Sequence, residues 1–167
     1  LKLARSEIEL ETFRLEAHQL KQCPLEKFFD FETFAHSSGF SPIWNAELLK
    51  WRLSGPEANY YLHISESAIL VTTKVSIGGI KIAVLLKAFS LNPNEVPAPI
   101  APCASGIAKY HKTPFVTYWG KNQHFKMDGL KIPRKFQPSP LDLVVHFFEA
   151  NNNFVLSEFE LLDFDAF

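Results

Sequence analysis

The 167-residue chain contains only two cysteines, Cys23 and Cys103, and they stand apart rather than in pairs with metal-ligand spacing. A disulfide-stabilised scaffold needs a denser set of cysteines, and a zinc site needs cysteines or histidines at short, regular intervals. The six histidines show no such interval. We therefore expect no metal, and the isolated cysteines together with the lack of a signal-peptide pattern predict a cytoplasmic protein.

The chain also lacks an excess of either charge and lacks a long apolar run. Lys and Arg (17) nearly balance Asp and Glu (18), and no basic stripe stands out, so we expect no nucleic-acid partner. The longest apolar stretches, such as residues 80–89, contain lysines and are far shorter than the roughly 20 residues that cross a bilayer. We therefore expect no membrane partner.

The composition itself is that of a folded domain. The apolar fraction is 47% and the aromatic fraction is 14%, with 16 phenylalanines, which predicts a large aromatic core rather than disorder. The length fits a single domain over residues 1–167. Because the chain starts without Met, we interpret residues 1–20 as a candidate leading arm of a longer or tandem protein. The aromatic content is compatible with a homodimer.

Local periodicity predicts strands and helices in the first half of the chain. Residues 8–20 fit a strand and a helix equally well, and residues 24–37 follow a helical period up to a Ser-Ser-Gly stop. A second helix is predicted over residues 44–53, with one apolar face made of Trp44, Leu48, Leu49 and Trp51. Three strands are predicted next, over residues 59–65, 68–75 and 80–91.

Prolines and glycines divide the second half. Four prolines predict irregular chain from residue 92 until after Pro102, and a short helix is then expected over residues 103–111. A strand over residues 115–119 and a loop-rich segment over residues 121–140 follow. The chain is predicted to end in a hairpin of residues 141–149 and 154–164. The elements together predict an α+β fold.

This order of elements resembles the GNAT superfamily of N-acyltransferases over essentially all of the chain after residue 20. Residues 48–52 (LLKWR), followed by Gly55-Pro56 and residues 59–62 (NYYL), look like a "WRY…hP…Y" signature found in GNAT-like proteins. Residues 160–165 (ELLDFD) resemble the acidic finish of those proteins, and Asn122 with Gly129 resembles a further element. The resemblance implies a mixed, mostly antiparallel sheet of about six to seven strands flanked by helices.

The resemblance also implies an activity, which is transfer of an acyl group from acetyl-CoA or another acyl-CoA to the amine of a small metabolite. In such a fold the fourth strand pairs with the pantetheine amides, and the next helix binds the pyrophosphate at its amino terminus. The residues implied for the pantetheine are Lys87, Ala88, Phe89 and Ser90. The residues implied near the phosphates are Ala101, Cys103, Ala104 and Ser105, with Asn122 after the following strand.

The phosphate loop departs from the family pattern. Residues 94–102 contain prolines where GNAT enzymes carry a Q/R-x-x-G-x-G/A pattern, and proline has no N–H group to offer a phosphate. Two hypotheses follow. The chain either is an N-acyltransferase that binds its cofactor in a modified way, or is a catalytically inactive module that binds a ligand or a protein.

Amine acylation needs a base and an acid, and three residues near the proposed cleft could serve. Tyr118 is the candidate acid, and His111 or Tyr110 could transfer a proton. The structural alternative is that both tyrosines are core aromatics with a hydroxyl that reaches water, and that His111 interacts with the dipole at a helix end.

Three further residues have two interpretations each. Asp163 and Asp165, two apart on a predicted strand, could bind a cation or an amine, or could belong to a solvated charged strand. Cys103 near a helix amino terminus could be a reactive thiolate or a buried structural cysteine. Trp51, which belongs to the segment that resembles the GNAT signature, also has a structural interpretation as a core residue.

Overall fold

The computed structural model describes residues 10–15, 42–54, 59–92, 96–133 and 155–163. The predicted helix over residues 24–37 and the predicted strand over residues 141–149 lie outside the described residues. No helix in the described part of the chain is long and apolar enough to cross a membrane.

A five-stranded sheet forms the centre of the molecule, in the order β1-β2-β3-β4-β6. Its strands are β1 (Glu11–Leu15), β2 (Tyr60–Ile64), β3 (Ala68–Ile77), β4 (Ile80–Ser90) and β6 (Val116–Tyr118). Neighbouring strands are antiparallel, except that β6 runs parallel to β4. Residues 11–15 form a strand, so the strand interpretation of that ambiguous segment is the one that holds.

The α+β class is therefore confirmed, with fewer strands than expected. The described main sheet has five strands rather than six or seven. The carboxy-terminal segment, predicted as one long strand, has a two-residue strand β9 (Phe159–Glu160) and then a 3-10 turn (Leu161–Asp163). Asp163 therefore lies in a turn, and Asp165 lies outside the described residues.

Helix α1 (Ala46–Leu53) covers one face of the sheet. It begins where the Asn45 side chain accepts a hydrogen bond from the Leu48 N–H at 2.6 Å, as an amino-terminal cap does. The helix buries Ala46, Leu49 and Leu53. Trp51, interpreted as a core residue, is 65% exposed, because the sheet lies against the neighbouring stripe of the helix. Of the four residues predicted for the apolar face, Trp44 and Leu49 are buried, and Leu48 and Trp51 are exposed.

Helix α2 (Ala101–His111) covers the opposite face of the sheet. Its buried residues Cys103 and Ile107 pack with Leu70 and Leu85 of the central strands. The helix begins at Ala101, two residues before the predicted start. Pro102 is tolerated there because the N–H groups of a first helical turn have no partner within the helix.

A β-bulge in β4 changes which face its side chains occupy. The pairing with β3 shifts between Val71, opposite Lys87, and Thr72, opposite Leu85, so Leu86 is the extra residue. Leu85 and Ala88 accordingly both pack on the α2 side. Lys87 is left on the α1 side, near the rings of Trp44 and Phe89. Without the bulge, Lys87 would share a face with Leu85.

The proline-rich segment is more regular than predicted. Strand β5 (Ala98–Pro99) pairs in parallel with β8 (Phe125–Lys126). The Ala98 N–H donates to the His124 carbonyl at 3.2 Å, and the Ile100 N–H donates to the Lys126 carbonyl at 3.1 Å. The segment before α2 is therefore held against the chain that follows β6.

Candidate functional site

The parallel strands β4 and β6 separate after a short contact. Their pairing ends at Leu85 and Tyr118, and the chain then turns at Gly120 to form β7 (Gly120–Lys121), which pairs with β9 instead. We call the gap beyond Leu85 and Tyr118 the β4–β6 cleft. Such a gap exposes main-chain groups of β4 that no neighbouring strand can satisfy.

Two side chains occupy this cleft and bond to Ala88. The Glu160 carboxylate accepts a hydrogen bond from the Ala88 N–H at 3.2 Å, and the Asn122 amide donates to the Ala88 carbonyl at 2.8 Å. Asn122 also donates to Glu160 at 3.2 Å. Together the two side chains supply one acceptor and one donor, as the main chain of a neighbouring strand would.

Lys87 holds two carboxylates on the α1 side of the sheet. Its Nζ lies 3.1 Å from a carboxylate oxygen of Glu160 and 3.1 Å from one of Asp163. Asp163 also accepts from the Trp44 indole N–H at 2.6 Å and from the Glu160 N–H at 2.7 Å. The side chains of Lys87 and Glu160 are 1% and 0% exposed. A single cation thus faces two carboxylates in a site without water contact.

The excess of one negative charge among Lys87, Glu160 and Asp163 determines which of these side chains carries a proton. Burial would lower the pKa of Lys87, but Glu160 and Asp163 outweigh it and raise that pKa. Burial raises the pKa of Glu160 to about 7 despite the attraction of Lys87, and the charge of Asp163 adds to the shift. The direction follows from the charges, because one proton on Glu160 makes the cluster neutral. Glu160 can therefore exchange a proton near neutral pH.

The hydroxyl of Tyr118 lies at the same place. It is buried and has no hydrogen-bond partner in the described part of the chain. Burial raises the pKa of Tyr118 far above its ordinary value, and the nearby Glu160 carboxylate adds to the shift. Glu160 is thus close enough for its charge to act on the hydroxyl. The hydroxyl remains protonated and is able to donate.

A second cluster lies on the α2 side of the sheet. His63 Nε2 and His111 Nε2 lie 2.8 Å and 2.9 Å from the same Thr72 hydroxyl, and the Tyr110 ring contacts both imidazoles. Because a hydroxyl has one proton to donate, one imidazole must accept from Thr72 and the other must donate to it. Burial lowers the pKa of His63 to about 3 and that of His111 to about 4, with the charge of Lys74 adding to the second shift. Both rings are neutral at neutral pH.

These shifts predict that stability rises from pH 4 and levels off at about pH 7. Between pH 4 and pH 6.5 the unfolded chain protonates His63 and His111 while the folded chain excludes those protons, so stability is lost as the pH falls. Glu160 acts in the opposite direction. Its pKa rises from 4.5 to about 7 on folding, so the stability that it contributes below pH 4.5 is lost as the pH rises to 7. Two histidines outweigh one glutamate up to about pH 7, and above that pH both contributions have ended, so stability stays level.

Thermal melting followed by circular dichroism across this pH range measures the effect. Glu160→Gln is the matched variant, and we expect it to steepen the rise of the melting temperature between pH 4.5 and about pH 7. His111→Asn is expected to make the rise of the melting temperature with pH shallower. A melting temperature that falls between pH 4.5 and pH 6.5 in the unsubstituted protein would contradict the assignment.

The structure divides the predicted site residues between these two clusters and the start of α2. The residues assigned to the pantetheine are all buried along β4: Lys87, Ala88, Phe89 and Ser90. The residues assigned to the phosphates lie in the first turns of α2: Ala101, Cys103, Ala104 and Ser105. Cys103 is buried, and the other three reach the surface. Tyr118 and Asn122 lie at the β4–β6 cleft, while His111 and Tyr110 lie in the histidine cluster. The three proposed catalytic residues are therefore not gathered in one place.

The comparisons with known proteins assign no family. No family model and no curated protein matches the chain. Two solved structures overlap with it, both of an aminoglycoside acetyltransferase from an uncultured soil metagenomic sample, one in complex with sisomicin and one with trehalose. Each covers 85% of this chain and 96% of the other, with TM-scores of 0.37 and 0.35 at 12% and 16% identity. A likeness at this level assigns no activity to this chain.

The residues present do not fit an acyl-CoA in the arrangement that the resemblance implies. The Ala88 N–H and carbonyl, which would pair with the pantetheine, are bonded to Glu160 and Asn122. Three prolines lack an N–H at the phosphate position, and the N–H groups of Ala98 and Ile100 are bonded to carbonyls. In the first turn of α2 only Ala101 and Cys103 carry N–H groups outside the helical ladder, and an anion site needs several that converge.

The α2 amino terminus carries no reactive cysteine either. Burial raises the pKa of the Cys103 thiol, whereas a nucleophilic cysteine needs a lowered pKa. The buried structural interpretation of Cys103 is the one that the environment supports. Within the described residues, no three side chains of the types that ligate metals come together.

Sequence reasoning missed the role of Glu160 and the capping of Ala88. The signal present in the sequence was Lys87, a lysine inside a continuous apolar strand, which requires a buried carboxylate as a partner. Periodicity could not name that partner, because Asp163 lies 76 positions further along the chain.

Proposed function

We propose that the chain is a non-catalytic binding module on an acyltransferase-like α+β frame, which does not take acyl-CoA in the β4–β6 cleft. The observation that carries this proposal is the capping of Ala88. A pantetheine that paired with β4 would have to displace the bonds of Ala88 to Glu160 and Asn122. Displacing Glu160 would also break its buried ion pair with Lys87. Lys87 would keep Asp163 at 3.1 Å, so acyl-CoA would have to replace the two hydrogen bonds of Ala88 and the contact of Glu160 with the cation.

A second candidate function is an acyl-CoA-dependent N-acyltransferase that acts on the amine of a small metabolite. The observation in its favour is the pairing of Glu160, whose pKa is about 7, with the unpartnered hydroxyl of Tyr118. A base that titrates near neutral pH and a protonated hydroxyl are the two groups that acylation of an amine needs. Cytoplasmic location and a homodimer stay predictions from the sequence.

Calorimetric titration with acetyl-CoA separates the two functions. We expect no saturable heat at millimolar cofactor, either from the unsubstituted protein or from Tyr118→Phe, which keeps the ring and removes the hydroxyl. Asn122→Ala is the second variant, because it frees the Ala88 carbonyl and leaves Glu160 in place. Saturable binding by the unsubstituted protein, with thiol release in the presence of amino sugars that Tyr118→Phe abolishes, would overturn the module in favour of the enzyme.

A further inference from the structure

The turn between β3 and β4 carries apolar side chains at the far end of the sheet. Gly78 and Gly79, with φ of 57° and 82°, form the two-residue turn, and Ile77 and Ile80 lie directly opposite one another beside it. These isoleucines are 54% and 52% exposed. Phe115 begins the neighbouring strand at the same end and is 58% exposed. Three large apolar side chains thus contact water at one end of the sheet.

Four lysines lie at the same end. Lys74 and Lys81 are on the two strands of the turn, and Lys109 and Lys112 are at the carboxy terminus of α2. Lys74 lies close enough to lower the pKa of His111, which places the end of α2 beside these strands. No ion pair joins any of the four lysines to a carboxylate in the described part of the chain. We call the four lysines with Ile77, Ile80 and Phe115 the lysine end.

The carboxylates of the described residues lie elsewhere. Glu66 is in the turn between β2 and β3, at the opposite end of the sheet, and Glu160 and Asp163 are buried beside Lys87. Glu158 pairs with His124, and Asp128 lies beside Lys126. Within the described residues, the four lysines of the lysine end therefore lie apart from these carboxylates.

We propose that the lysine end docks on an anionic lipid surface, with Ile77 and Ile80 entering the headgroup region. Lys74 lies three positions before Ile77, which at roughly 3.3 Å per residue corresponds to about 10 Å along the strand. That is the depth to which interfacial segments insert, so the Lys74 ammonium group would stand at the level of the lipid phosphates. A nucleic acid would neutralise the lysines but leave the isoleucines in water. Docking at a surface needs no membrane-spanning helix, and it does not involve the β4–β6 cleft.

Sedimentation of the full chain with lipid vesicles tests this assignment. We expect binding to vesicles of phosphatidylcholine mixed with phosphatidylserine, weak binding to phosphatidylcholine alone, and a decrease as the salt concentration rises. Ile77→Ser with Ile80→Ser is expected to weaken binding about tenfold. Lys74→Gln with Lys81→Gln is expected to weaken it about fivefold per lysine, the factor for a lysine near an anionic membrane surface.

Matched controls lie outside the lysine end. Val96→Ser removes an apolar side chain that is 88% exposed, and Lys131→Gln removes an exposed lysine; neither should change vesicle binding. The proposal is overturned by equal binding to both vesicle types, by no binding to either, or by an isoleucine variant that binds like the unsubstituted protein. Duplex DNA that displaces the vesicles, and that binds the isoleucine variant equally well, would assign the lysine end to a polyanion instead.

Discussion

Replacing Lys87 with methionine is expected to lower the free energy of unfolding by about 3–5 kcal/mol, the range for a buried ion pair that loses one partner. Methionine retains much of the volume of lysine, so the loss arises from charge rather than from a cavity. Glu160 and Asp163 would keep their burial and lose the cation 3.1 Å from each of them. Urea denaturation at pH 7 measures the effect as a shift of the midpoint without a change of slope.

The control for this substitution lies on the same strand. Lys81→Met replaces an exposed lysine of β4, and it should change stability by no more than about 0.5 kcal/mol. A Lys87→Met protein as stable as Lys81→Met at pH 7 would refute the central role of the cluster.

The local elements could be predicted because neighbouring residues determine them. The strands predicted over residues 68–75 and 80–91 correspond to β3 and β4, and the helix predicted over residues 103–111 matches α2 to within two residues. The strand bounds differ from the prediction by only one or two residues at most ends. In these segments the periodicity, the turn residues and the burial of apolar side chains agree.

The candidate site could not be predicted, because it depends on a bulge and on distant pairing. A strict alternation along β4 would place Lys87 with Leu85 on the α2 side, and only the extra residue Leu86 turns it toward Asp163. The burial of Trp44 and the exposure of Trp51 also depend on residues distant in the chain. Both rings fit the apolar pattern predicted for residues 44–53, and the position of the sheet decides which of them is covered.

The proline-rich segment shows how a correct local inference can be incomplete. Its prolines removed N–H donors, as the sequence indicated, but they also left Ala98 and Ile100 free to pair with the chain after β6. This pairing, like the capping of Ala88, satisfies with the chain's own groups what the resemblance assigns to a cofactor. The pairing of β5 with β8 and the capping of Ala88 are independent of one another, and both reduce the capacity of the domain to hold acyl-CoA.

Replacing Gly120 with alanine is expected to destabilise the protein by about 2–5 kcal/mol, as the sum of backbone strain and overpacking. Gly120 has a φ of 144°, which side-chain-bearing residues rarely adopt. An added Cβ would lie 2.3 Å from the Phe159 carbonyl oxygen and 2.8 Å from the Glu160 Cα. Both of those neighbours are backbone atoms, so relief requires β9 to move away from β7.

That movement gives the substitution a second readout besides stability. Displacing β9 would withdraw Glu160 from Lys87 and Ala88, so the loss from Gly120→Ala should overlap with that from Lys87→Met. The double variant should then be destabilised by less than the sum of the single effects. Gly129→Ala is the control, because an added Cβ there meets nothing within 4 Å. Strict additivity of Gly120→Ala and Lys87→Met would show that the close approach at Gly120 does not position the carboxylates of the cleft.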